Sequence, residues 1–510
     1  WITTSGKAVA NELPAVVEEA MDNVPLLLLA ADRAPELRDT GANQAIDQVK
    51  LFGSYTRWDV DLPPPTDDID PAYVLTTVDQ AVHRAVRPPA GPVHLNCGFR
   101  KPLQPVEEGP RPQAPAAVRD WAATDTPFTH YPASTPRASA ADVSALAPRL
   151  DDGRRGLVVA GRLRTDAEAA AVQRLAARLG WPLIPDLTSR LRLQADGARR
   201  TVPYADLVLT SASFREAYEP EAVVRLGGRI VSKRLRFFLR ESVPEVHAVV
   251  RPSPSRLDPD HRATHHIESG VVSFVEEVLG HIGARPEETS WRSAWTTASD
   301  RAAAAVQAHA ATAEALTEPL VAAALTDALP PEHALVAASS MPVRDLDRHA
   351  SAGGGAAAYA NRGASGIDGT VATAAGVAEG RGGPVTLLIG DLALWHDLNS
   401  LALLENRSVV VVVVNNDGGG IFHFLPIRAH DDVFDPYFTT PHHRSFESAA
   451  ATFGLSYRRP DTPEAFRTAY REAATRSGST VLEVQTDREE NRQVHEQLEQ
   501  AVASAVAPNA

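Results

Sequence analysis

The sequence predicts an α/β protein built from about three doubly wound domains, and three observations support this prediction. The chain has 510 residues, too many for one hydrophobic core when a typical domain holds roughly 150. Strand-like runs alternate with helical stretches along most of the chain, as in parallel α/β sheets. Some runs, such as VVVVVV at 409–414, are continuously apolar, which is typical of strands buried on both faces of a sheet.

The first domain is predicted at 1–105, and a linker follows it. A helical stretch alternates here with strand-like runs, at 8–21, 24–31 and 92–96. Eight prolines then lie between Pro102 and Pro136. Because proline disrupts both helices and central strands, we expect no helix in this segment and interpret 106–136 as an extended inter-domain linker.

The same alternation continues in two further domains, which we place at 137–285 and 310–510. The central one combines a strand at 156–161 and a helix at 166–179 with the strand-like runs PLIPDL, ADLVLTS, AVVRLGG and EVHAVVRP. It has no G-x-G-x-x-G run, so a dinucleotide fingerprint is absent from the sequence. An Ala-rich helical stretch at 298–328 precedes the strand-like runs HALVAAS, VTLLIGD and SVVVVVVNN of the last domain.

Composition and charge exclude several classes of function. The apolar runs are far shorter than the roughly 20 residues of a membrane span, so no spanning segment is expected. Cys97 is the single cysteine, which excludes an internal disulfide framework and a cysteine-based zinc site and indicates a reducing, cytoplasmic location. The net charge of −14 argues against nucleic acid as a partner. Anionic substrates would need local positive groups to overcome this field.

Oxygen-bearing side chains follow two apolar strands of the C-terminal domain. Asp391 ends the run PVTLLIGD, and Asn416 lies between VVVVVV and the glycines at 418–420. Open α/β sheets bind ligands at the carboxyl ends of their strands, and Mg²⁺ takes oxygen ligands from one or two side chains, from phosphate and from water. We therefore predict a metal site formed by Asp391, Asn416 and a carbonyl near Gly418. A helix predicted from about Ile421 would direct its positive end to phosphate.

Simpler interpretations of single features stay open. Asp391 alone fits a helix cap before an amphipathic helix at 393–407, and 415–417 alone fits a polar turn, but the two together favour the metal site. The basic run from Arg225 to Arg240 fits a second anion site or, as we favour, a solvated face. Four histidines form neither a metalloprotease nor a triad pattern and are interpreted as satisfied or exposed: His396, His423, His442 and His443.

Taken together, GDL at 390–392 and NND at 415–417 resemble the thiamin-diphosphate signature, GDG followed by NN. Leu392 replaces the last glycine, as in part of that superfamily, and the interval is slightly short. Further segments carry a narrower resemblance, in order over nearly the whole chain: TSGKAVAN (4–11), ADRAPELRDTGANQAIDQ (31–48), GPVHLNCGF (91–99), SKRL (232–235), RLDPDHR (256–262), SSMPVRDLD (339–347), ANRGASGIDG (360–369), GDLALWHDLNSL (390–401) and NNDGGGIFHFLP (415–426). Together they resemble one family, the 2-succinyl-5-enolpyruvyl-6-hydroxy-3-cyclohexene-1-carboxylate synthases of menaquinone biosynthesis.

The resemblance implies three domains of the thiamin-diphosphate-enzyme type, thiamin diphosphate with Mg²⁺ or Mn²⁺ as cofactors, and 2-oxoglutarate and isochorismate as substrates. In this family 2-oxoglutarate is decarboxylated and the succinyl carbanion undergoes 1,4-addition to isochorismate, while the protein supplies orientation and electrostatics. Both substrates are dicarboxylates, so cationic residues at matching positions would offset the unfavourable net charge.

The resemblance also implies a role for individual residues. Those matching substrate-binding positions are Arg33, Asn43, Gln44, Lys233, Ser340, Arg344, Arg362, Ile421, Phe422 and Leu425. Those matching cofactor-binding positions are Ser340, Ile367, Gly390, Asp391, Asn416 and Gly418. Ile367 would support the bent form of thiamin, and each of the four apolar residues also fits a plain core position.

The glutamate that activates thiamin in this family precedes the TSG segment, and the chain opens at Trp1, close before that segment. Glu12, Glu18 and Glu19 lie elsewhere, so no catalytic residue is assigned and the first domain is expected to be incomplete. Two alternatives stay open: an inactive homologue or fragment, which the gene sequence upstream of Trp1 would test, and another thiamin-dependent 2-oxoacid decarboxylase or synthase. Active sites of the family form between subunits, which predicts a homodimer or tetramer.

Overall fold

The structure is a computed structural model that describes residues 1–104, 114–151, 153–194, 201–283 and 289–507. The chain divides into two compact units. The first comprises 1–136, 252–254 and 362–364, and the second comprises 137–251, 255–361 and 365–510. Part of the predicted linker at 106–136 lies outside the described residues.

The first unit contains one parallel sheet. Its strands are β1 (Ile2–Thr3), β2 (Leu26–Arg33), β3 (Trp58–Leu62) and β4 (Pro92–Phe99), and its helices are α1 (Lys7–Ala10), α2 (Leu13–Asp22), α3 (Pro71–Val86) and α4 (Ala116–Ala122). The strand order is β1-β2-β4-β3, and every pairing is parallel. Leu28 and Ala30 of β2 pack against α1 and α2, whereas Val93 and Leu95 of β4 pack against α3. The sheet is therefore covered on both faces.

The helical stretch predicted at 8–21 is confirmed, but as two helices, whereas a second prediction in this unit was wrong. The stretch divides because Pro14 occupies the first turn of α2, where its missing N–H costs nothing, and would break a helix continuing from α1. Helix α4 lies inside the proline-rich segment, where no helix was expected. Its residues include none of the prolines, and Pro115 lies at its N-cap, a place that proline tolerates.

The second unit contains two parallel sheets, of which the first has five strands. They are β5 (Gly156–Ala160), β6 (Leu183–Pro185), β7 (Ala222–Leu226), β8 (Val246–Arg251) and β9 (His265–Glu268), in the order β6-β5-β7-β8-β9. One face packs on α5 (Ala140–Asp151), α6 (Asp166–Leu179) and α10 (Val271–Leu279). The other packs on α7 (Ala205–Val208), α8 (Ala212–Ala217), α9 (Lys233–Ser242) and α11 (Ser290–Thr312).

The run ADLVLTS, predicted as a strand, forms helix α7 instead. All four residues of α7 are buried, so its apolar character cannot distinguish a strand from a buried helix. Asp206 within it is held by tertiary partners, with Arg234 at 2.6 Å and Arg348 at 3.0 Å. Those partners come from α9 and from a later helix, so the local sequence carries no sign of them.

The third sheet has six parallel strands. They are β10 (Ala334–Ala337), β11 (Ala358–Ala360), β12 (Val385–Gly390), β13 (Val409–Asn415), β14 (Ser456–Arg458) and β15 (Thr480–Gln485). The order is β11-β10-β12-β13-β15-β14. The accompanying helices are α12 (Glu318–Asp327), α13 (Met341–His349), α14 (Thr370–Arg381), α15 (Asp391–His396), α16 (Asp431–Phe434), α17 (Glu447–Thr452), α18 (Pro463–Thr475) and α19 (Arg488–Val506).

Strand β13 confirms the interpretation of the VVVVVV run as a strand buried on both faces. Val410, Val412 and Val414 belong to the core on one side of the sheet. Val409, Val411 and Val413 belong to the core on the other side. Among the described residues, none of the helices combines the length and the apolarity required to span a bilayer.

The strand order also fixes where a ligand can bind. The chain leaves β10 toward β11 on one side and later returns to β12 on the other. At such a reversal the loops after the two central strands separate and leave a crevice at their carboxyl ends. The loops that follow β10, β12 and β13 are therefore the parts of this sheet to search for a site.

Candidate functional site

A cavity lies at the carboxyl ends of β10, β12 and β13. The side chains and glycines that line it come from the starts of α12, α13 and α15 and from the glycine loop after β13. Predicted site residues that line this cavity are Ser340, Ile367, Gly390, Asp391, Asn416, Gly418, Ile421 and Phe422. The structure thus brings together the two halves of the motif and the apolar residues that follow it.

Asp391 joins the two loops of the cavity. Its Oδ1 accepts a hydrogen bond from the Leu392 amide at 2.6 Å, and its Oδ2 accepts one from the Gly418 amide at 2.9 Å. The carboxyl group is nearly fully buried, and this burial raises its pKa even though these amides favour the charged form. A buried carboxylate of this kind is stabilised when a cation binds beside it.

His442 also contacts this carboxylate. Its Nδ1 accepts a hydrogen bond from the Arg444 amide at 3.1 Å, so the proton of a neutral ring lies on Nε2, which is 3.2 Å from Asp391 Oδ2. The prediction of a satisfied histidine therefore holds, but its partner is the central acid of the site. No local motif could have revealed this contact, because the two residues are far apart in the sequence.

Asn416 presents an oxygen atom that has no partner among the described residues. Its Nδ2 donates to Glu318 Oε1 at 2.8 Å, whereas its Oδ1 is buried without a hydrogen bond. Buried polar atoms are almost always paired, so an unpaired amide oxygen in a cavity beside a buried carboxylate fits the oxygen ligands that Mg²⁺ takes. The residues present therefore fit a divalent cation.

The glycine loop after β13 requires glycine at Gly418. This residue has φ = +117°, and a Cβ there would lie 2.0 Å from the Thr439 carbonyl oxygen. A side chain would therefore displace either the loop or the segment at 438–440. Backbone approach this close is a reason for glycine to be used at a phosphate- or metal-binding turn.

One local prediction beside the cavity was wrong, and another holds with a different type of helix. The stretch predicted as one amphipathic helix at 393–407 is split, because α15 ends at His396 and a 3-10 helix runs over Leu398–Leu404. Asp397 lies at the break, where its carboxylate accepts from the Val371 amide at 2.7 Å. The helix predicted from about Ile421 is present as a short 3-10 helix over Gly420–Phe424. Helices α12, α13 and α15 also begin at the cavity, where their first residues line it.

Two acidic residues that line the cavity were not among the predicted site residues. Glu318 begins α12 and Asp345 lies in α13, and both are buried. Burial and the neighbouring Asp345 raise the pKa of Glu318 to about 8, and burial raises that of Asp345 to about 7. The sequence carries no distinguishing signal for Glu318, because an acid at the head of an apolar run such as EPLVAAAL is common in the first turn of a helix.

Three predicted residues of this unit are not among those lining the cavity. Lys233 begins α9 and its Nζ lies 5.2 Å from the centre of the Phe237 ring. Arg344 lies on α13 and its guanidinium donates to the Ser340 carbonyl oxygen. Leu425 separates two 3-10 helices and is 41% exposed.

Four predicted residues belong to the first unit. Arg33 ends β2, and its guanidinium donates to the Asn43 carbonyl oxygen at 2.9 Å and to Gln44 Oε1 at 3.0 Å. Arg33, Asn43 and Gln44 therefore form one cluster. Arg362 lies in the short segment 362–364 grouped with this unit, and its backbone N–H donates to Asp22 at 3.4 Å.

Comparison with known proteins identifies the same class of fold. The family model described as the middle domain of thiamine pyrophosphate matches residues 113–336, and the C-terminal TPP binding domain of thiamine pyrophosphate enzymes matches residues 340–484. The benzoylformate decarboxylase structure from Polynucleobacter necessarius superimposes with a TM-score of 0.70 over 96% of this chain and 86% of that chain, at 18% identity. That likeness concerns the fold.

Curated relatives are much more similar in sequence. A protein of Salinibacter ruber is 63% identical over 507 residues, which is 99% of this chain and 86% of the relative. One from Rubrobacter xylanophilus is 52% identical over 501 residues, which is 98% of this chain and 86% of the relative. Both carry the name 2-succinyl-5-enolpyruvyl-6-hydroxy-3-cyclohexene-1-carboxylate synthase.

Proposed function

The chain belongs to the family of 2-succinyl-5-enolpyruvyl-6-hydroxy-3-cyclohexene-1-carboxylate synthases, which are thiamin-diphosphate-dependent enzymes, and from this premise we propose its reaction. It decarboxylates 2-oxoglutarate and transfers the remaining succinyl group to isochorismate, as a step of menaquinone biosynthesis in the cytoplasm. The observation that carries this proposal is the cavity in which the Asp391 carboxylate and the unpaired Asn416 Oδ1 meet at adjacent strand ends.

Asp391 and Asn416 are proposed to hold Mg²⁺ or Mn²⁺, together with a backbone carbonyl near Gly418. The divalent cation would join the protein to the diphosphate of thiamin diphosphate. Bound thiamin diphosphate supplies the electron sink that the decarboxylation needs. The protein holds the cofactor in place through the loops after β12 and β13, and the apolar walls at Ile421 and Phe422 exclude water from the reacting group.

The substrates are recognised through their carboxylates in this proposal. Guanidinium groups bind a carboxylate with two parallel hydrogen bonds, and an ammonium group binds it as a point charge. The proposed cationic residues are Arg33, Lys233, Arg344 and Arg362. Asn43, Gln44 and Ser340 are proposed to orient the substrates, Leu425 to form part of the substrate pocket, and Ile367 to support the bent thiamin. These cations offset the net charge of −14 where the anions bind.

The proposed reaction is tested by measuring CO₂ release from 2-oxoglutarate by the intact gene product, supplied with thiamin diphosphate and Mg²⁺. We expect CO₂ release that depends on isochorismate, with one molecule of the adduct formed for each CO₂ released. Release at the same rate without isochorismate would identify a different thiamin-dependent decarboxylase. Cofactor binding without turnover would identify an inactive homologue.

A variant of the metal site tests the cofactor part of the proposal separately. Asp391→Asn removes the charge but keeps the shape, so Mg²⁺-dependent binding of thiamin diphosphate should weaken by about 100-fold or more, beyond what loss of a supporting residue costs. The exposed Asp300 of α11 is the matched control, since Asp300→Asn should leave binding unchanged. Equal binding by both variants would contradict the metal site.

A further inference from the structure

We propose that Glu318 is a positioning residue for the metal site. Its carboxyl group accepts a hydrogen bond from Asn416 Nδ2 and so turns Asn416 Oδ1 toward the cation. This inference rests on the proposed function, since it assumes that Asn416 is a metal ligand. It concerns a residue outside the motif, 98 positions from Asn416 in the sequence. Glu318 itself does not have to touch the metal.

The geometry gives the amide group a single orientation. Asn416 Nδ2 lies 2.8 Å from Glu318 Oε1, and Glu318 is only 4% exposed, so no water competes for this contact. An amide carries two donors on nitrogen and its acceptor on oxygen. Once the nitrogen is fixed against a carboxyl oxygen, the amide oxygen must face the other way. That oxygen is the buried one that has no partner in the described structure.

A second buried acid lies in the same wall of the cavity. Asp345 lines the cavity together with Glu318 and Asn416 and is 1% exposed. Asp345 Oδ1 lies 3.2 Å from His495 Nε2, which places this second acid against α19.

The backbone of Glu318 is also fixed. Its N–H donates to Asn491 Oδ1 at 3.1 Å, and Asn491 is itself buried on α19. Glu318 is the first residue of α12, where the N–H has no partner within the helix. The contact with Asn491 satisfies this group and prevents the first turn from rotating, so the carboxyl group remains directed at Asn416.

Supporting residues of this kind commonly determine how tightly a metal binds. Loss of a group that orients a metal ligand typically costs between about 10-fold and 100-fold in metal affinity. A purely structural role for Glu318 predicts something else, namely lower stability of the cofactor-free protein with unchanged affinity for the metal. The two roles are therefore separated by measuring affinity and stability on the same variants.

The test compares Glu318→Met, Glu318→Gln and Glu332→Met by calorimetric titration of Mg²⁺ in saturating thiamin diphosphate. Glu318→Met keeps the length of the side chain but cannot accept a hydrogen bond, so the apparent affinity should fall between about 10-fold and 100-fold. Glu318→Gln should keep an affinity close to that of the wild type, because its Oε1 can still accept a hydrogen bond from Asn416 Nδ2. Glu332 is exposed, and Glu332→Met is the matched control.

The outcomes distinguish this inference from the proposed function. If the wild type shows no Mg²⁺-dependent binding of thiamin diphosphate, the proposed function fails. If the wild type binds and Glu318→Met binds equally well, the positioning role fails. A loss in Glu318→Gln as large as that expected for Glu318→Met also overturns it, and this measurement remains decisive if Glu318→Met does not fold.

Discussion

Burial changes the pKa of Asp391 and that of His247 in opposite directions, because in both cases it disfavours the charged form. The pKa of Asp391 rises, and that of His247 falls to about 4. Asp391 lies in a cavity that is proposed to receive a cation. His247 lies within β8, where neither ring nitrogen has a hydrogen-bond partner among the described residues. No hydrogen bond therefore offsets the cost of burying a charged ring.

The neighbours of His247 also oppose its protonation. The nearby Arg225 and His266 lower the pKa of His247. Asp258 raises this pKa, but by less than burial lowers it. Folding therefore requires the neutral ring. Between the ordinary pKa of about 6.5 and the folded value of about 4, the unfolded chain binds a proton that the folded chain does not. Stability present above pH 6.5 is then lost as the pH falls through this window.

Replacement of His247 by Phe should make the chain less sensitive to acid. One histidine contributes up to about 1.4 kcal/mol per pH unit across this window, so the melting temperature of the wild type should fall more between pH 7 and pH 5 than that of the variant. Differential scanning calorimetry at the two pH values measures this difference. The same substitution at the exposed His430 is the control, and equal pH dependence of wild type and His247→Phe would contradict the assignment.

At the scale of single elements, helices with strong local signals were predictable. Helix α6 was predicted at 166–179 and is observed there. Thr165 Oγ1 accepts from the Glu168 amide at 3.1 Å, and Glu168 accepts from the Arg164 amide at 2.6 Å, which resembles a capping box. Gly180 follows in the left-handed conformation, as helix ends often require. Each signal lies within four residues of the helix end, so the local sequence contains it.

Elements shaped by distant contacts were not predictable in the same way. The run ADLVLTS forms a helix whose Asp206 is paired with Arg234 and Arg348. The predicted helix at 393–407 breaks at Asp397, whose carboxylate caps the start of α14. In both cases a side chain satisfies a partner far along the chain, and this tertiary contact outweighs local propensity.

Helix α14 offers a test of element stability. Gly376 lies in its interior, is exposed, and has open space where a Cβ would lie. Gly376→Ala should therefore stabilise the chain by about 0.5–1 kcal/mol, because alanine loses less conformational entropy on folding.

Thermal unfolding measures the effect of Gly376→Ala, which should appear as a higher melting temperature with no change in cofactor binding. Gly382→Ala is the paired control. Gly382 ends the same helix with φ = +62°, where a side chain is strained, so this variant should lower the melting temperature. A decrease in both variants would contradict the argument from α14.

At the scale of the whole molecule, the sequence predicted one half of the candidate site much better than the other. Asp391 and Asn416 follow continuous apolar strands. Because the carboxyl ends of parallel neighbouring strands lie at one edge of a sheet, the sheet alone brings these two side chains together. Glu318 reaches Asn416 from another helix, and His442 reaches Asp391 from a loop. Such contacts depend on the packing of distant elements, which no local pattern encodes. The fold class was predictable for the opposite reason, since alternation of elements is visible along the chain.

The homodimer or tetramer predicted from the family resemblance can be examined through one surface, the row of valines on α3. Val74, Val78, Val82 and Val86 follow one another at four-residue spacing, and such rows are the ridges that pack between helices. Val74, Val82 and Val86 are 43%, 46% and 54% exposed, whereas Val78 packs on the core of the unit and Thr77, Ala81 and Ala85 beside the row are buried. Three exposed valines on one helix form an apolar patch, and such patches often mark interaction sites.

Val82→Glu should therefore dissociate the oligomer. A two-fold interface uses the same surface on both copies, so a single substitution places two charges in it. Light scattering should give the wild type a mass of at least twice the 54.6 kDa of the chain, and the variant a mass near that of one chain. Circular dichroism should remain unchanged, because Val82 is 46% exposed and is not part of the core. Val243, 57% exposed at the end of α9, is the control, since Val243→Glu should stay oligomeric. A wild type of 54.6 kDa with full activity would contradict the predicted oligomer. An oligomeric Val82→Glu would show that α3 is not the interface.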